Sequence, residues 1–369
     1  MNKKLTGLLL VLVSIGFIVI GGRYIIESGL FRGYPEAVYL SGSEADKRPA
    51  YRLMDDGDKA VYTALYNGIS ERKEDIPLPK ELDGKDYSRI YCTLEKQEGS
   101  FFYLDSVYYT AQKVREARIV YRNTENIDGK IEALDKEVAA AVYGAAGVEG
   151  GYYLARYIND YIVKKCAYVT GEDSEFASTA YGCLVEGEAN CEGYAKAFNM
   201  IAAELGLESV VITGTTNTGE NHAWNQVRIG LEWYNIDVTW ADTDIDGVER
   251  QMYFLVNDED FSKTHIADKT LFEPFKCDGD KWNYYVRNGF YADSLETAED
   301  IVIRELNAGK MSVEIKFASP ELYDRFKKEV ISRDHIFELL ENAEYNYGSE
   351  VTVSLKENER ECCLTLKFS

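Results

Sequence analysis

A cysteine opens a predicted helix in the stretch GEANCEGYAKAFNMIAAELGL, which runs from Gly187 to Leu207. Asn190 is a favourable N-cap residue, so we predict that Cys191 is the first helical residue and that Gly206 ends the helix. The positive end of a helix dipole lowers the pKa of a thiol, and free N–H groups there can bind a developing oxyanion. Cys191 is therefore either a nucleophile or a small apolar residue that begins a core helix.

A nucleophilic thiol needs a general base, and the chain has three histidines, His222, His265 and His335. His222 lies in NHAWNQVRI and Asp237 lies in EWYNIDVTW, and both runs alternate as β-strands do. A hairpin that turns at Ile229–Gly230 places His222 directly opposite Asp237, where the carboxylate could fix the imidazole tautomer. Each residue alone is more simply a packing or solvated residue, but the three residue types together favour a Cys-His-Asp site.

Other residues near these runs could support such a site. Trp224, Asn225 and Trp240 either line it or are ordinary packing residues beside the hairpin. We interpret His265 as a capping or packing residue of the same region and His335 as a structural residue of a later helix.

The seven cysteines form no CxxC pair and no cluster with histidine, so a structural zinc site is not expected. Their odd number leaves at least one thiol unpaired within the chain. Cys183, eight residues before Cys191, is interpreted as a bystander. The alternative is an inhibitory disulfide between these two residues.

Three blocks of the sequence together resemble the bacterial transglutaminase-like superfamily: AYGCLVEGEANCEGYAKAFNMIAAELGL, NHAWNQVRIGLEWYNIDVTW and YFLVNDEDF. The resemblance covers roughly residues 150–268. It implies an α+β fold with a papain-like core, in which Cys191 is the nucleophile, His222 the general base and acid, and Asp237 the residue that orients the imidazole. Asn190 stands where the family more usually has a small apolar residue, which fits its capping role.

A Cys-His-Asp site of this kind would attack protein or peptide amides and form a thioester. An amine acceptor would then give transamidation, whereas water would give deamidation or proteolysis, and the sequence leaves the acceptor open. The nearest alternative is a cysteine peptidase of surface or cell-wall peptides. The alternative from another class is a non-catalytic surface scaffold that retains the fold for binding.

An uncharged run of 18 residues, Leu5 to Gly22, follows Lys3 and Lys4. As a helix it would span about 27 Å, which is close to the thickness of a bilayer core. The preceding positive charges favour a cytoplasmic N-terminus, so we predict a single-pass cell-membrane anchor over residues 1–25 and an extracytoplasmic main domain. A cleaved signal peptide, which would make the protein secreted, is the alternative.

Beyond this N-terminal membrane helix we predict three regions. An N-terminal α/β region covers residues 30–135, a transglutaminase-like domain covers 136–290, and a small C-terminal α/β module covers 297–369. Within the first region, RIYCTL (89–94) and SFFYLDSVYYT (100–110) are predicted strands, and IPLPKELDG is a predicted break. The module is predicted as strand, helix, strand, strand.

The formal net charge of -22 at pH 7 argues against a nucleic-acid partner, because phosphate binding relies on lysine and arginine patches. The expected partners are a protein or peptide substrate and, through the N-terminal helix, the membrane. No cofactor is expected. DTDIDG, Asp242 to Gly247, begins like a calcium loop, but Tyr253 stands where a bidentate glutamate is needed. We interpret it as an acidic surface loop, with weak calcium binding as the alternative.

Overall fold

The computed structural model describes residues 33–122, 125–170, 174–242, 251–344 and 351–369. The predicted anchor, residues 1–25, lies outside the described residues, as do residues 243–247 of the predicted acidic loop. Within the described ranges, no helix combines the length and the apolar character that a membrane crossing requires.

The N-terminal region packs helices against a two-stranded antiparallel sheet. Its elements are α1 (Gly42–Asp46), α2 (Pro49–Arg52), α3 (Asp56–Ser70), β1 (Asp75–Asp83), α4 (Gly84–Gln97) and β2 (Lys113–Arg118). A single 3₁₀ turn, Gly99–Phe101, follows α4.

Three predictions in this region are wrong. The break predicted at IPLPKELDG lies in strand β1, and the strand predicted over 89–94 is part of helix α4. Asp83 starts this helix by accepting hydrogen bonds from the N–H groups of Lys85 and Asp86, each at 2.9 Å. The apolar residues then recur at helical spacing and fill the buried face, which outweighs the strand propensity of the aromatic and β-branched residues. In the stretch predicted as a strand over 100–110, Leu104 makes only an isolated bridge.

The central region packs helices against a five-stranded antiparallel sheet of order β8-β7-β6-β5-β9. Its elements are α5 (Ile127–Gly144), α6 (Gly151–Lys165), β3 (Ala167–Tyr168), β4 (Glu188–Ala189), α7 (Cys191–Glu204), β5 (Ser209–Thr216), β6 (Asn221–Ile229), β7 (Glu232–Ile236), α8 (Val238–Ala241), β8 (Phe254–Val256), α9 (Asp258–Phe261), β9 (His265–Ala267) and α10 (Tyr284–Asn288). The α+β class is confirmed. The boundary predicted between residues 135 and 136 falls inside α5.

The β6–β7 hairpin turns at Gly230–Leu231 rather than at Ile229–Gly230, so the predicted turn is wrong by one residue. Gly230 has a φ of +67°, a left-handed conformation that glycine adopts without strain. Asn225 consequently pairs with Ile236, and the register differs from the predicted one by two residues. A shift of two leaves every side chain on its predicted face, because strand side chains alternate with a period of two.

The C-terminal module forms a four-stranded sheet of order β10-β11-β13-β12 with helices against it. Its elements are β10 (Tyr291–Ala292), α11 (Leu295–Asn307), β11 (Ser312–Phe317), α12 (Pro320–Phe326), α13 (His335–Glu341), β12 (Val353–Asn358) and β13 (Cys363–Phe368). The three predicted strands are present, but the single helix predicted between the first two is divided into α12 and α13, and β10 and α11 precede the pattern. The module has its own cluster of buried side chains, from Ala292 to Phe368.

Helix α7 lies in the large core that the N-terminal and central regions share, a cluster that extends from Tyr51 to Leu255. Its buried face contains five apolar side chains with no exposed surface: Tyr194, Ala197, Phe198, Ile201 and Ala202. Burial of a large apolar side chain contributes about 1.5–3 kcal/mol, so this face fixes the axis of α7. The position of Cys191 at the start of the helix follows from that axis.

Candidate active site

Cys191 is the first residue of α7, as predicted. The Asn190 carboxamide oxygen accepts hydrogen bonds from the N–H groups of Glu192 at 3.0 Å and Gly193 at 3.3 Å. The half-buried Cys191 side chain packs against a small cluster that includes Val211 and Ala223 of the sheet. Within the described ranges, the Cys191 N–H has no hydrogen-bond acceptor, which is the state required of an oxyanion donor.

His222 links the thiol to a carboxylate. Its Nε2 lies 2.7 Å from Asp237 Oδ2, which leaves Nδ1 free to face the thiol across the cleft that both residues line. Burial would lower the pKa of His222, but the charge of Asp237 and the hydrogen bonds with Asp237 and Cys191 outweigh burial and raise this pKa to about 10. The imidazole is therefore protonated at neutral pH and can stabilise a thiolate.

Asp237 is fully buried and follows the last residue of β7, so it does not pair with His222 in the strand ladder as predicted. Instead it caps α8, where its Oδ1 accepts a hydrogen bond from the Trp240 N–H at 3.1 Å. Burial would raise the pKa of this carboxyl, but the charge and hydrogen bond of His222 and the contact with His265 lower it far below its ordinary value. Asp237 is thus held ionised and in a fixed orientation.

His265 also contacts this carboxylate, which the sequence did not indicate. Its Nε2 lies 3.1 Å from Asp237 Oδ2, and its Nδ1 lies 2.8 Å from the hydroxyl of Thr264. The ring stacks on Phe261 at a centroid distance of 3.9 Å. The packing role predicted for His265 is only part of its environment, because one carboxylate oxygen of Asp237 accepts from two imidazoles.

The comparisons with known proteins match the part of the chain that carries Cys191, His222 and Asp237. A family model described as the transglutaminase-like superfamily matches residues 137–238, a span that runs from α5 through the nucleophile helix to Asp237. These residues form a transglutaminase-like domain.

Two curated relatives match a similar share of the chain. The human protein named kyphoscoliosis peptidase is 29% identical over 161 residues, which cover 36% of this chain and 24% of the relative. The mouse protein of the same name is 27% identical over 158 residues, with coverage of 36% and 24%. The chain therefore spans about a quarter of the length of these relatives. A crystal structure of a TGase is 17% identical, covers 32% of this chain and 34% of its own, and gives a TM-score of 0.29.

The three residues predicted to support the site lie on two sides of β6. Trp224 and Trp240 flank the imidazole of His222, with ring centroids 6.3 Å and 5.4 Å from it. Asn225 faces the other side of the strand, where its Nδ2 donates to the backbone carbonyl of Ala195 at 3.0 Å. The two tryptophans therefore enclose the imidazole of His222, the candidate general base. The asparagine links the nucleophile helix to the sheet through its hydrogen bond to Ala195.

A cleft of about 710 Å³ opens onto Cys191 and His222. Two large apolar side chains on its lining remain exposed, Tyr168 at 49% and Ile266 at 58%. Lys96 of α4 also lines the cleft, but its ammonium group is paired with Glu192 at 2.8 Å. The thiol is therefore accessible from a cleft with apolar flanks.

Asp237 and the two histidines that contact it form the one cluster in the described part of the chain whose donor atoms could hold a metal ion. The ligand atoms of His222, Asp237 and His265 lie within 4.8 Å of one another. Calcium takes six to eight oxygen ligands, so two imidazoles and one carboxylate do not suit it. The hydrogen bonds among the three side chains account for their close approach.

The remaining predicted candidates lie away from this site. Cys183 is fully buried, and its thiol neighbours Cys166 rather than Cys191; burial raises its pKa, and so does the Cys166 thiol. All seven cysteines are free in this structure. His335 belongs to α13 of the C-terminal module, where its Nδ1 lies 2.9 Å from Glu338.

Proposed function

We propose that this protein is a thiol enzyme that acts on protein or peptide amides through a thioester on Cys191. The observation that carries the proposal is the position of His222, whose Nε2 lies 2.7 Å from the buried Asp237 carboxylate and whose ring lines the same cleft as Cys191. A non-catalytic scaffold would not require these three side chains to lie together. A role of Cys191 as a simple packing residue would not require an accessible cleft.

The chemistry follows from the protonation states. The Cys191 thiolate attacks the amide carbonyl carbon, and the developing oxyanion accepts a hydrogen bond from the Cys191 N–H at the positive end of α7. The His222 imidazolium then donates its proton to the leaving ammonia or amine, so that the C–N bond breaks and a thioester remains. In the second half, neutral His222 takes a proton from water or from an acceptor amine, whose oxygen or nitrogen attacks the thioester carbon. A new C–O or C–N bond forms, the C–S bond breaks, and the Cys191 thiolate leaves.

The acceptor decides the outcome: an amine gives transamidation, and water gives deamidation or proteolysis. The transglutaminase-like domain supports transamidation or deamidation of glutamine side chains, and the name of the peptidase relatives supports hydrolysis of peptide bonds. A transamidating enzyme would join an amine probe to a glutamine peptide and release ammonia. A peptidase would cleave peptides without an added amine.

Alkylation of Cys191 tests the proposal directly. We expect limiting iodoacetamide near neutral pH to label Cys191 in the full-length chain about tenfold or more faster than Cys92, the other half-buried thiol, whose pKa burial raises. His222→Ala should slow the labelling of Cys191 by about tenfold, because the thiolate loses its counter-ion. Mass spectrometry of tryptic peptides measures both rates.

The matched control is His335→Ala, which removes an imidazole from the exposed surface of the C-terminal module and should leave the labelling unchanged. Labelling of Cys191 no faster than that of Cys92, and equal in His222→Ala and His335→Ala, would contradict an activated thiol.

We also propose that the main domain lies outside the cytoplasm and is held at the cell membrane. The uncharged run from Leu5 to Gly22 after two lysines supports this location, and a cleaved signal would make the protein secreted. Protease added to intact cells should then degrade the domain, with a cytoplasmic protein as the control. Protection until the cells are lysed would argue against this location.

A further inference from the structure

We infer that the cleft at Cys191 continues into a second groove along α4, and that this groove binds an extended, uncharged stretch of the polypeptide substrate. The inference rests on the proposed function, because it assigns the rest of the substrate whose amide reacts at Cys191. It also gives a role to the N-terminal region, which lies outside the residues matched by the family model.

The second groove has a volume of about 970 Å³ and lies between the N-terminal region and the segment that follows β9. One wall is α4, with Ser88 and Cys92. The other walls come from the segment around Tyr108 and Ala111 and from Leu271. Cys92, Tyr108 and Leu271 are half-buried, so they give the groove an apolar floor.

Both walls of the groove are continuous with the catalytic cleft. On one side, Cys92 lies four residues before Lys96, which lines the catalytic cleft, so about one turn of α4 separates them. On the other side, Thr270 lines the groove and bonds to Asp268 of the catalytic cleft through its N–H at 2.8 Å and its hydroxyl at 2.9 Å. These neighbouring residues mark the route by which we infer that a chain leaving Cys191 enters the groove.

The length of the groove indicates a polypeptide rather than a small amide. The part of α4 that lines the groove and the catalytic cleft together extends from Lys85 to Lys96, which corresponds to about 16 Å of helix. An extended chain rises about 3.3 Å per residue, so about five residues fit beside this wall.

The charges that line the groove compensate one another. Two carboxylates and two cations lie along α4: Asp83, Asp86, Lys85 and Arg89. The guanidinium of Arg89 is paired with Asp58 and lies 3.7 Å from Asp86, and the Asp83 carboxylate is occupied by the N-cap bonds. An apolar floor between compensated charges favours an uncharged segment over an acidic or basic one.

Binding can be measured without any chemistry in the Cys191→Ala variant of the full-length chain. A fluorescein-labelled peptide of about eight residues, alternating valine and serine, is long enough to leave the catalytic cleft and fill the groove. Ala111→Trp places an indole in the groove from an exposed position. Ser106→Trp is the matched control, because it adds the same side chain at an exposed position of the same segment that does not line the groove.

Fluorescence anisotropy should show saturable binding of the peptide, about tenfold weaker in Ala111→Trp and unchanged in Ser106→Trp. No saturable binding, or equal binding in the two tryptophan variants, would overturn the groove assignment. The proposed function is tested separately by the rate at which a two-residue iodoacetyl peptide alkylates Cys191 in the wild-type chain. If that short reagent did not alkylate Cys191, the proposal of a thiol enzyme would be contradicted. The anisotropy result would still show whether the groove binds the peptide.

Discussion

Replacement of Asp237 with asparagine should lower kcat/KM for amide substrates by about 10⁴-fold, which corresponds to about 5.5 kcal/mol in the barrier. The carboxylate accepts from His222 and His265 through Oδ2 and from the Trp240 N–H through Oδ1. An asparagine amide group facing His222 would donate to Nε2 and force the imidazole proton onto Nδ1. The imidazole could then no longer accept the thiol proton, and the opposite amide orientation would set two donors against each other at Trp240.

The pH dependence of the rate should also show the effect of Asp237 on His222. Because Asp237 helps to raise the pKa of His222 to about 10, the rate should remain high through neutral pH and fall only as pH rises through about 10. In Asp237→Asn the alkaline limb should move towards the ordinary histidine value of about 6.5. The raised pKa also stabilises the folded state: this contribution is complete below about pH 6.5 and is lost as pH rises through about 10.

His265→Phe is the comparison variant for this experiment. It keeps an aromatic ring against Phe261 but removes one of the two imidazoles on the carboxylate, so we expect about a tenfold loss of kcat/KM. The alkaline limb should stay high, since His222 keeps its bond to Asp237. If Asp237→Asn lost no more activity than His265→Phe and kept the wild-type alkaline limb, Asp237 would not be the residue that orients His222.

The start of the nucleophile helix could be predicted from sequence because its determinants are local. Asn190 caps α7 by bonding to N–H groups two and three residues later, and the buried face recurs at helical spacing within the same stretch. Local signals were misleading where packing overrides propensity, as in α4, whose aromatic and β-branched residues suggested a strand. Here Asp83 and the helical spacing of the buried residues decide the structure.

Contacts between distant segments could be predicted only in part. The hairpin placed His222 and Asp237 near each other despite a register error of two residues, because such an error preserves the face of each side chain. Strand β7 ends at Ile236 because Asp237 caps α8 and does not continue the strand. The alternation of residues in the sequence does not predict where the strand ends. The contact of His265 depends on β9 pairing with β5 across some fifty residues of chain, which no local pattern encodes.

Replacement of Cys191 with serine should lower the rate of amide turnover by about 10⁶-fold, close to the loss expected when a nucleophile is removed outright. The substitution is nearly isosteric, and α7 keeps its cap because Asn190 bonds to Glu192 and Gly193 rather than to residue 191. Ammonia release or peptide cleavage measures the rate. Cys362→Ser, in the C-terminal module, is the matched control and should retain the wild-type rate within about twofold.

The serine variant fails because of the protonation state of His222, which distinguishes this site from one built for a hydroxyl nucleophile. The charge of Asp237 raises the pKa of the imidazole, so at neutral pH it is already an imidazolium and cannot take a proton from an alcohol. A thiol needs no further base there, because its ordinary pKa is far lower than that of an alcohol, and it can persist as a thiolate beside the imidazolium. A serine variant that kept more than about one per cent of the wild-type rate would show that His222 is a neutral base and that the thiolate pair is not the reactive state.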